Sequence, residues 1–300
     1  MAVEWSGVIP AMTTKFTQND ELDFELFRKN LDAQIDAGVT GVIIGGSLGE
    51  ASTLMLSEKE ALVKFTLDYV KGKLSVIVNI AEGATRDAIL LAHSAETWGA
   101  QGLMLLPPMR YKSTQEETLK FFRDVANATS LSIMLYNNPI DYKTEITLDM
   151  FARLEDVRNI QAVKESTRDV TNVTRMKNRF GNRYKILCGV DTLTFEELAA
   201  GADGLVAGLV CAFPKETVAI YNYIKEGKHK EALDIYRWFM PLLEFDIDPQ
   251  LVQYIKLAEV YTGIGSEYVR LPRLPLSGSR REDAVKIIEK ALANRPVISN

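Results

Sequence analysis

Asp36-Ala-Gly-Val-Thr-Gly-Val-Ile-Ile44 is the first of three similar segments that decide the fold of this chain. The second is Trp98-Gly-Ala-Gln-Gly-Leu-Met-Leu-Leu106, and the third is Ala200-Gly-Ala-Asp-Gly-Leu-Val-Ala-Gly208. Each segment follows an amphipathic stretch and leads into an apolar run. A glycine just after a helix supplies a left-handed C-cap, and the second glycine opens the next strand. The repeat therefore predicts one helix-to-strand junction that is used three times.

Short, continuous apolar runs recur on both sides of these junctions. Such runs fit strands that are buried on both faces, as in a parallel sheet. The predicted strands are Gly7–Met12, Val42–Gly45, Ser75–Asn79, Leu103–Leu106, Ser132–Tyr136, Ile160–Val163, Lys185–Cys188 and Gly204–Ala207. Helical patterns lie between them, and a Ser or Thr before acidic residues predicts an N-cap at Ser57, Thr85, Thr114 and Thr147.

Eight strands alternating with helices predict an α/β fold of the (β/α)8 TIM-barrel type. A doubly wound sheet has the same local pattern, but no Gly-x-Gly-x-x-Gly fingerprint follows the first strand. After residue 213 the pattern is helical, with candidates at Pro214–Glu226, Lys230–Leu243, Leu251–Tyr261 and Arg281–Asn294. We therefore expect a barrel over residues 1–225 and a C-terminal helical extension over residues 226–300 that packs on it.

Composition narrows the classes of partner. The 300 residues carry a formal net charge of −5, which argues against nucleic acid, because phosphate binding needs clustered Lys and Arg. No apolar run approaches the ~20 residues of a membrane span, and the first ten residues do not resemble a signal peptide. We expect no membrane partner and a cytoplasmic location. Cys188 and Cys211 lie in apolar runs and are expected to be buried free thiols.

Lys164 is the sharpest candidate for chemistry, because active sites of such barrels lie at the carboxyl ends of the strands. It follows the apolar segment Ile160–Val163. A lysine at the inner end of a buried strand loses hydration, and this favours the neutral amine that attacks a carbonyl or imine carbon. The alternative is a lysine that points into solvent or pairs with Glu165.

Two other strand ends carry candidate groups. Tyr136 ends the fifth strand, where a phenol can relay protons beside an imine, although a structural hydrogen bond is the alternative. The segment Gly45–Glu50 ends the second strand and offers backbone amides that can hold a carboxylate. The cysteines are isolated, and His93 and His229 lie in helical stretches, so the pattern predicts no metal and no organic cofactor.

Three motifs resemble the dihydrodipicolinate synthase and N-acetylneuraminate lyase superfamily. They are Gly46-Ser-Leu-Gly-Glu50, Tyr136-Asn-Asn-Pro139 and Val163-Lys-Glu-Ser166. The opening Gly7–Phe16 and the later segment Val269–Leu276 are also similar. The resemblance implies a Schiff-base lysine at Lys164, proton transfer by Tyr136 and Ser47, and a homotetramer. The substrate-binding residues that it implies are Gly46, Leu48, Gly49, Asn138, Gly189 and Val206.

The departures from this pattern bear on the substrate. The synthase keeps an arginine shortly after its Tyr-Asn-x-Pro motif, and Asp141 stands there in this chain. Leu48 replaces the second hydroxyl residue of the loop. The tyrosine that the synthase lends across its dimer interface is replaced by Arg110 or displaced to Tyr111. The residues that would bind a polyol in N-acetylneuraminate lyase are missing after Lys164.

The branch that the chain most resembles is the Δ1-pyrroline-4-hydroxy-2-carboxylate deaminase of hydroxyproline degradation. The similarity lies in the three motifs and in Pro107–Tyr111, Tyr236–Leu243 and Leu251–Glu259. It implies ring opening by Lys164, loss of the 4-hydroxyl as water, and release of ammonia and 2,5-dioxopentanoate. The alternatives are a 2-keto-3-deoxy sugar acid aldolase or dehydratase, dihydrodipicolinate synthase itself, and a sensor that binds a 2-keto acid without catalysis.

Overall fold

A computed structural model describes residues 3–108 and 111–298. Its strands are β1 (Gly7–Pro10), β2 (Gly41–Ile44), β3 (Ser75–Ile80), β4 (Gly102–Leu105), β5 (Ser132–Asn137), β6 (Ile160–Glu165), β7 (Lys185–Cys188) and β8 (Gly204–Ala207). All pairings between them are parallel, in the order β1-β8-β7-β6-β5-β4-β3-β2. The strand residues are almost all buried, as the continuous apolar runs predict.

The sheet closes between β1 and β2 through few contacts. The Met12 amide donates to the Ile43 carbonyl at 3.0 Å, and the Thr40 amide donates to the Val8 carbonyl at 3.0 Å. An isolated parallel bridge joins Ala11 to Ile43. The closure confirms the barrel and excludes the doubly wound sheet, which would leave two open edges.

Helices lie between the strands and after the last of them. They are α1 (Phe24–Ala37), α2 (Leu56–Val70), α3 (Thr85–Trp98), α4 (Gln115–Asn127), α5 (Pro139–Tyr142), α6 (Leu148–Arg153), α7 (Thr171–Phe180), α8 (Thr194–Ala199), α9 (Pro214–Lys225), α10 (His229–Leu243), α11 (Leu251–Tyr261) and α12 (Gly278–Ala293). Helix α9 contacts α1 and α8 and so closes the outer ring, while α10 packs on α9 and α12. Among the described residues, no helix combines the length and the apolar character needed to cross a bilayer.

The repeated junction has the predicted geometry. Gly38, Gly99 and Gly201 lie in the left-handed region, with φ of 86°, 96° and 105°. The second glycine of the third junction is required by close packing, since a Cβ on Gly204 would lie 2.3 Å from the Gly7 carbonyl oxygen. Glycine thus has two roles in these junctions. It ends the helix in a left-handed conformation, and it allows neighbouring strands to approach closely.

Two of the four predicted N-caps are confirmed. The hydroxyls of Thr114 and Thr147 accept from the amides of Glu117 and Met150. The other two predictions are wrong, because helix α2 already begins at Leu56 and α3 has Ala84 as its cap. At α2 the Glu58 carboxylate accepts from the Met55 amide at 2.9 Å, so an acid of the first turn replaces the hydroxyl cap.

Candidate active site

A cavity of about 300 Å³ opens at the carboxyl ends of the strands. Loops that follow β2, β5, β6 and β7 meet there with β8 and with the turn between α10 and α11. Eight of the nine residues assigned from the sequence line it: Gly46, Ser47, Leu48, Tyr136, Asn138, Lys164, Gly189 and Val206. The ninth, Gly49, lies behind the wall, where a Cβ would come within 3.0 Å of the Met12 carbonyl oxygen.

Lys164 projects from β6 into this cavity and is 8% exposed. Burial lowers the pKa of its ammonium, and the negative charge of Asp246 opposes that effect. Among the described residues, no carboxylate lies within ion-pairing distance of its Nζ, so the predicted alternative of a pair with Glu165 is wrong. A lysine that is desolvated and unpaired favours the neutral amine, which is the nucleophilic form.

Gly189 makes room for this lysine. A Cβ at that position would lie 2.6 Å from Lys164 Cγ and 2.1 Å from Ser166 Oγ. The absence of a side chain on the neighbouring strand end therefore fixes the path of the lysine into the cavity. Gly189 therefore leaves space for the Lys164 side chain and also forms part of the cavity wall.

Tyr136 lies beside Lys164, because the two residues are paired in register on β5 and β6. Lys164 Nζ is 4.2 Å from the centre of the phenol ring. Burial raises the pKa of Tyr136 to about 12. Asn138 Nδ2 donates to the phenol oxygen at 3.2 Å, and the Asn138 side chain also caps α5 through the Asp141 amide. The phenol is therefore held in one orientation and keeps its proton at neutral pH.

Ser47 has a different hydroxyl partner from the one expected. Its Oγ lies 2.9 Å from the hydroxyl oxygen of Tyr142, and no hydrogen bond joins it directly to Tyr136 among the described residues. Tyr142 lines the cavity, and its ring packs edge-on against Tyr136 with 5.4 Å between ring centres. Tyr142 therefore contacts both predicted proton-transfer residues, Ser47 through its hydroxyl and Tyr136 through its ring, and sequence reasoning gave it no role.

The loop after β2 has the features of an anion site. The amides of Glu50 and Ala51 are used within the loop, on the carbonyls of Ser47 and Gly46. The amides of Ser47 and Leu48 have no acceptor among the described residues. Thr14 Oγ1 donates to the Gly49 carbonyl at 2.7 Å and so anchors the loop to the chain after β1. Two free amides in the cavity that holds Lys164 can donate hydrogen bonds to a substrate carboxylate.

Comparison with known proteins identifies the family to which this chain belongs. The model of the dihydrodipicolinate synthetase family matches residues 4–291. The chain belongs to this family. The curated 4-hydroxy-tetrahydrodipicolinate synthase of Geotalea uraniireducens (strain Rf4) is 30% identical over 290 residues, which is 95% of this chain and 98% of the relative. That of Methanocaldococcus jannaschii is 31% identical over 297 residues, with 98% and 100% covered.

Solved structures of the family have the same fold. Dihydrodipicolinate synthase from Aquifex aeolicus superposes with a TM-score of 0.90 at 27% identity, covering 98% of this chain and 100% of that one. A synthase variant described as monomeric gives 0.88 at 28% identity, with 96% of each chain covered. The family and these relatives indicate an aldolase-type lyase of class I.

The cavity differs from the pattern of the synthase in its charges. Asp141 lies on the wall and accepts from Asn138 Nδ2 at 2.7 Å. Lys143 Nζ donates to the Ile140 carbonyl at 2.5 Å, so it does not replace the missing arginine. Arg110, which stands where the synthase has its interface tyrosine, and Met109 lie outside the described residues. Among the residues described, Arg168 is the one arginine on the wall, exposed and with a left-handed φ of 63°.

Two carboxyl groups near Lys164 were missed by sequence reasoning. Asp191 follows β7 and is 2% exposed. Asp246 lies in the 3-10 turn Glu244–Ile247 and lines the cavity. Asp191 stands two residues after Gly189, which the resemblance implied as a substrate-binding residue, but it was itself given no role. For Asp246 the one available signal is an acid between two apolar residues in the gap between predicted helices.

Proposed function

We propose that this chain is the Schiff-base deaminase that converts Δ1-pyrroline-4-hydroxy-2-carboxylate to 2,5-dioxopentanoate and ammonia. The observation that carries the proposal is the position of Asp141, which stands on the wall of the cavity that holds Lys164. A second substrate carboxylate buried there would need a cationic partner to offset its desolvation. The proposed substrate has one carboxylate, which the amides of Ser47 and Leu48 would hold.

The first half of the reaction uses the lysine and the phenol. Neutral Lys164 attacks C2 of the cyclic imine, and the ring nitrogen leaves C2 as a primary amine on C5. The resulting iminium draws electrons from C3, so that a C3–H proton is lost to a base. We assign this proton transfer to Tyr136, which gives its phenol proton to the departing ring nitrogen and then, as the phenolate, takes the C3 proton. The pair of Ser47 and Tyr142, whose hydroxyls are 2.9 Å apart, assists it.

The second half releases the small products. The enamine expels the 4-hydroxyl as water and becomes a conjugated iminium. A proton then moves from C5 to C3, which leaves an enamine at C4 and C5. Transfer of a proton from the amine nitrogen to C4 converts this enamine to an imine on C5. Hydrolysis there releases ammonia, and hydrolysis at C2 frees Lys164. One water is lost and two are consumed, so substrate plus one water gives 2,5-dioxopentanoate plus ammonia.

A second function, synthesis of 4-hydroxy-tetrahydrodipicolinate, is favoured by the names of the relatives. Arg168 is the observation in this chain that suits it, because a guanidinium on the wall can bind a distal carboxylate. This reading predicts that Arg168→Ala raises the KM for aspartate semialdehyde in condensation with pyruvate. The deaminase reading predicts no such condensation.

A substrate panel tests the proposal. Wild-type protein is assayed for ammonia, pyruvate, 2,5-dioxopentanoate and dihydrodipicolinate, with a 2-keto-3-deoxy sugar acid as a further substrate. We expect ammonia from the hydroxypyrroline carboxylate at a rate above all other products. Faster dihydrodipicolinate formation, or activity on the sugar acid alone, would contradict the deaminase and leave the Schiff base intact.

Borohydride trapping tests the nucleophile separately. Reduction in the presence of substrate should add a mass that maps to Lys164 and is lost in Lys164→Ala, which should also lose activity by many orders of magnitude. Lys185 is the matched control, since it lies on the next strand and pairs with Asp203 at 3.1 Å. Labelling at Lys185 or Lys143 would contradict the assignment, and absence of any label would favour a binding protein without catalysis.

A further inference from the structure

Asp191 and Asp246 form a carboxyl pair that the first half of the reaction does not use. The Asp191 carboxylate accepts from the Gly208 amide at 3.0 and 3.2 Å and from the Leu209 amide at 2.7 Å. Asp246 Oδ2 accepts from the Asp191 amide at 3.2 Å. Four backbone contacts therefore hold the two side chains in place at the end of β7 and β8.

The two carboxyls lie on either side of one glycine. A Cβ on Gly208 would be 2.9 Å from Asp246 Oδ1, and the amide of the same residue is bound by both Asp191 oxygens. Two carboxylates this close in a desolvated site do not both ionise at neutral pH, and one of them keeps a proton. A side chain at position 208 would therefore collide with Asp246.

The surroundings favour the retained proton. Burial raises the pKa of each carboxyl, and the charge of Asp246 raises that of Asp191 further. Lys164 and Arg168 face Asp246 and lower its pKa, whereas Asp141 raises it. Because Lys164 is itself held toward the neutral amine, its charge does not supply a full counter-ion.

The members of the pair differ in access to the substrate. Asp191 is almost fully buried and is not on the cavity wall, while Asp246 is half-buried and lines the cavity with Lys164. Asp246 is therefore placed to exchange a proton with a bound molecule. Asp191 acts through it and is a positioning residue.

We propose that Asp246, sharing one proton with Asp191, is the general acid that protonates the leaving group of the Schiff-base intermediate. The inference rests on the proposed function, in which water leaves C4. As the C4–O bond breaks, its electrons pass to oxygen, which takes the Asp246 proton and departs as water. The enamine electrons form the new double bond. Over the cycle, the proton removed from C3 replaces the one given up.

Tyr136 is the competing acid for this step, and its strength argues against it. With a pKa of about 12 the phenol is a poor donor at neutral pH. General acids work best when their pKa lies near the working pH, and a carboxyl raised by burial and by a like charge approaches that condition. The two halves of the reaction are therefore assigned to different groups on the wall of the cavity.

A change of leaving group tests the proposal. Chloride needs no proton to depart, so 4-chloro-2-oxobutanoate is compared with 4-hydroxy-2-oxobutanoate and with the hydroxypyrroline carboxylate. In Asp246→Asn we expect water loss to fall by roughly 10²–10⁴, with chloride loss and deuterium exchange at C3 of pyruvate near wild type. Asp283→Asn, on the exposed face of α12, is the matched control.

Asp191→Asn supplies a second readout. The variant removes the carboxyl whose pKa burial and the charge of Asp246 raise to about 8, so the pair should lose its shared proton more readily. The decline in water loss at high pH should therefore begin at a lower pH than in wild type. Borohydride trapping of pyruvate on Lys164 shows that each variant still folds and forms the Schiff base. A merely structural role would change rate and stability without moving this limb of the pH profile.

The outcomes separate the two proposals. In the first outcome, wild-type protein releases no ammonia yet eliminates water from 4-hydroxy-2-oxobutanoate in a reaction that depends on Asp246. That result would contradict the deaminase function and support the assignment of Asp246 as general acid. If Asp246→Asn slows chloride loss and water loss equally, or slows neither, Asp246 is not the general acid, whatever the natural substrate is. Wild-type protein that eliminates no water from either hydroxy acid would also overturn it.

Discussion

At the scale of the residue, the hydroxyl pair of Ser47 and Tyr142 gives the first prediction. Burial raises the pKa of Tyr142, so the phenol keeps its proton and can donate to Ser47. If both hydroxyls serve one proton transfer, removing either removes most of the effect. We expect Ser47→Ala, Tyr142→Phe and the double variant to slow deuterium exchange at C3 of pyruvate to a similar extent, roughly 10-fold or more.

Tyr136→Phe should slow the same exchange further, by roughly 10²–10⁴, with borohydride trapping on Lys164 retained. Tyr223→Phe is a suitable control, because that phenol lies on α9 away from the cavity. For the hydroxyl pair, additive effects of Ser47→Ala and Tyr142→Phe in the double variant would show that the two groups act independently and would contradict the first prediction. Turnover near wild type in Tyr136→Phe would reject its role in proton transfer.

The site residues that the sequence indicated share one property, which is position at the end of a buried strand. Lys164 and Tyr136 were found in this way, and family motifs drew attention to the same places. Tyr142 and Asp246 escaped because they lie on a short helix and on a turn outside the barrel, where no periodic pattern marks them. Their approach to Lys164 depends on tertiary packing, which spacing along the chain does not encode.

At the scale of the element, helix α11 is tied to the loop after β2 by a buried ion pair. Lys256 Nζ lies 2.6 Å from Glu50 Oε1 and 2.6 Å from the Tyr268 carbonyl oxygen, and both side chains of the pair are fully buried. Glu50 has a left-handed φ of 54°, and its other oxygen accepts from the Arg270 amide. The loop conformation thus depends on a charge from the C-terminal helices.

Removing that charge should be costly. Lys256→Met leaves the buried Glu50 carboxylate without its cation, which typically destabilises a protein by about 3–5 kcal/mol. Urea unfolding followed by circular dichroism measures the change. The exposed pair Lys286–Asp283 provides the control, since Lys286→Met should cost less than about 1 kcal/mol. An unchanged midpoint in Lys256→Met would contradict the role of the pair, and Glu50→Gln added to Lys256→Met should restore part of the loss.

The sequence predicted the strands and junctions more accurately than the starts of the helices. Strands and junctions followed from local apolar runs and from paired glycines, which act over a few residues. Two helix starts were misplaced because an acid in the first turn of α2, and a non-hydroxyl residue before α3, took the place of the expected Ser57 and Thr85 caps. The anchoring of α11 joins residues 206 positions apart, and no local pattern reports it.

At the scale of the whole molecule, we predict a homotetramer. Tyr111, which follows the fourth strand, is 56% exposed in the single chain and is the described residue of the expected dimer contact. Light scattering should give the mass of four chains. Tyr111→Glu should shift the mass downward, because a charge buried in a contact is unfavourable, while Val297→Glu, at a site 97% exposed, should not. A stable and active wild-type monomer would contradict the prediction.

The seam of the barrel determines when the chain can fold during synthesis. Strand β1 makes its full ladder with β8, whose last residue is Ala207, and has only sparse bonds to β2. At a translation rate of ~5–20 residues per second, about 10–40 s pass between the emergence of the two strands. Throughout that interval Val8 and Ile9, almost fully buried in the finished barrel, have no ladder partner. The barrel can therefore close only after β8 has been synthesised, and until then β1 has no partner beyond its few hydrogen bonds to the β2 region.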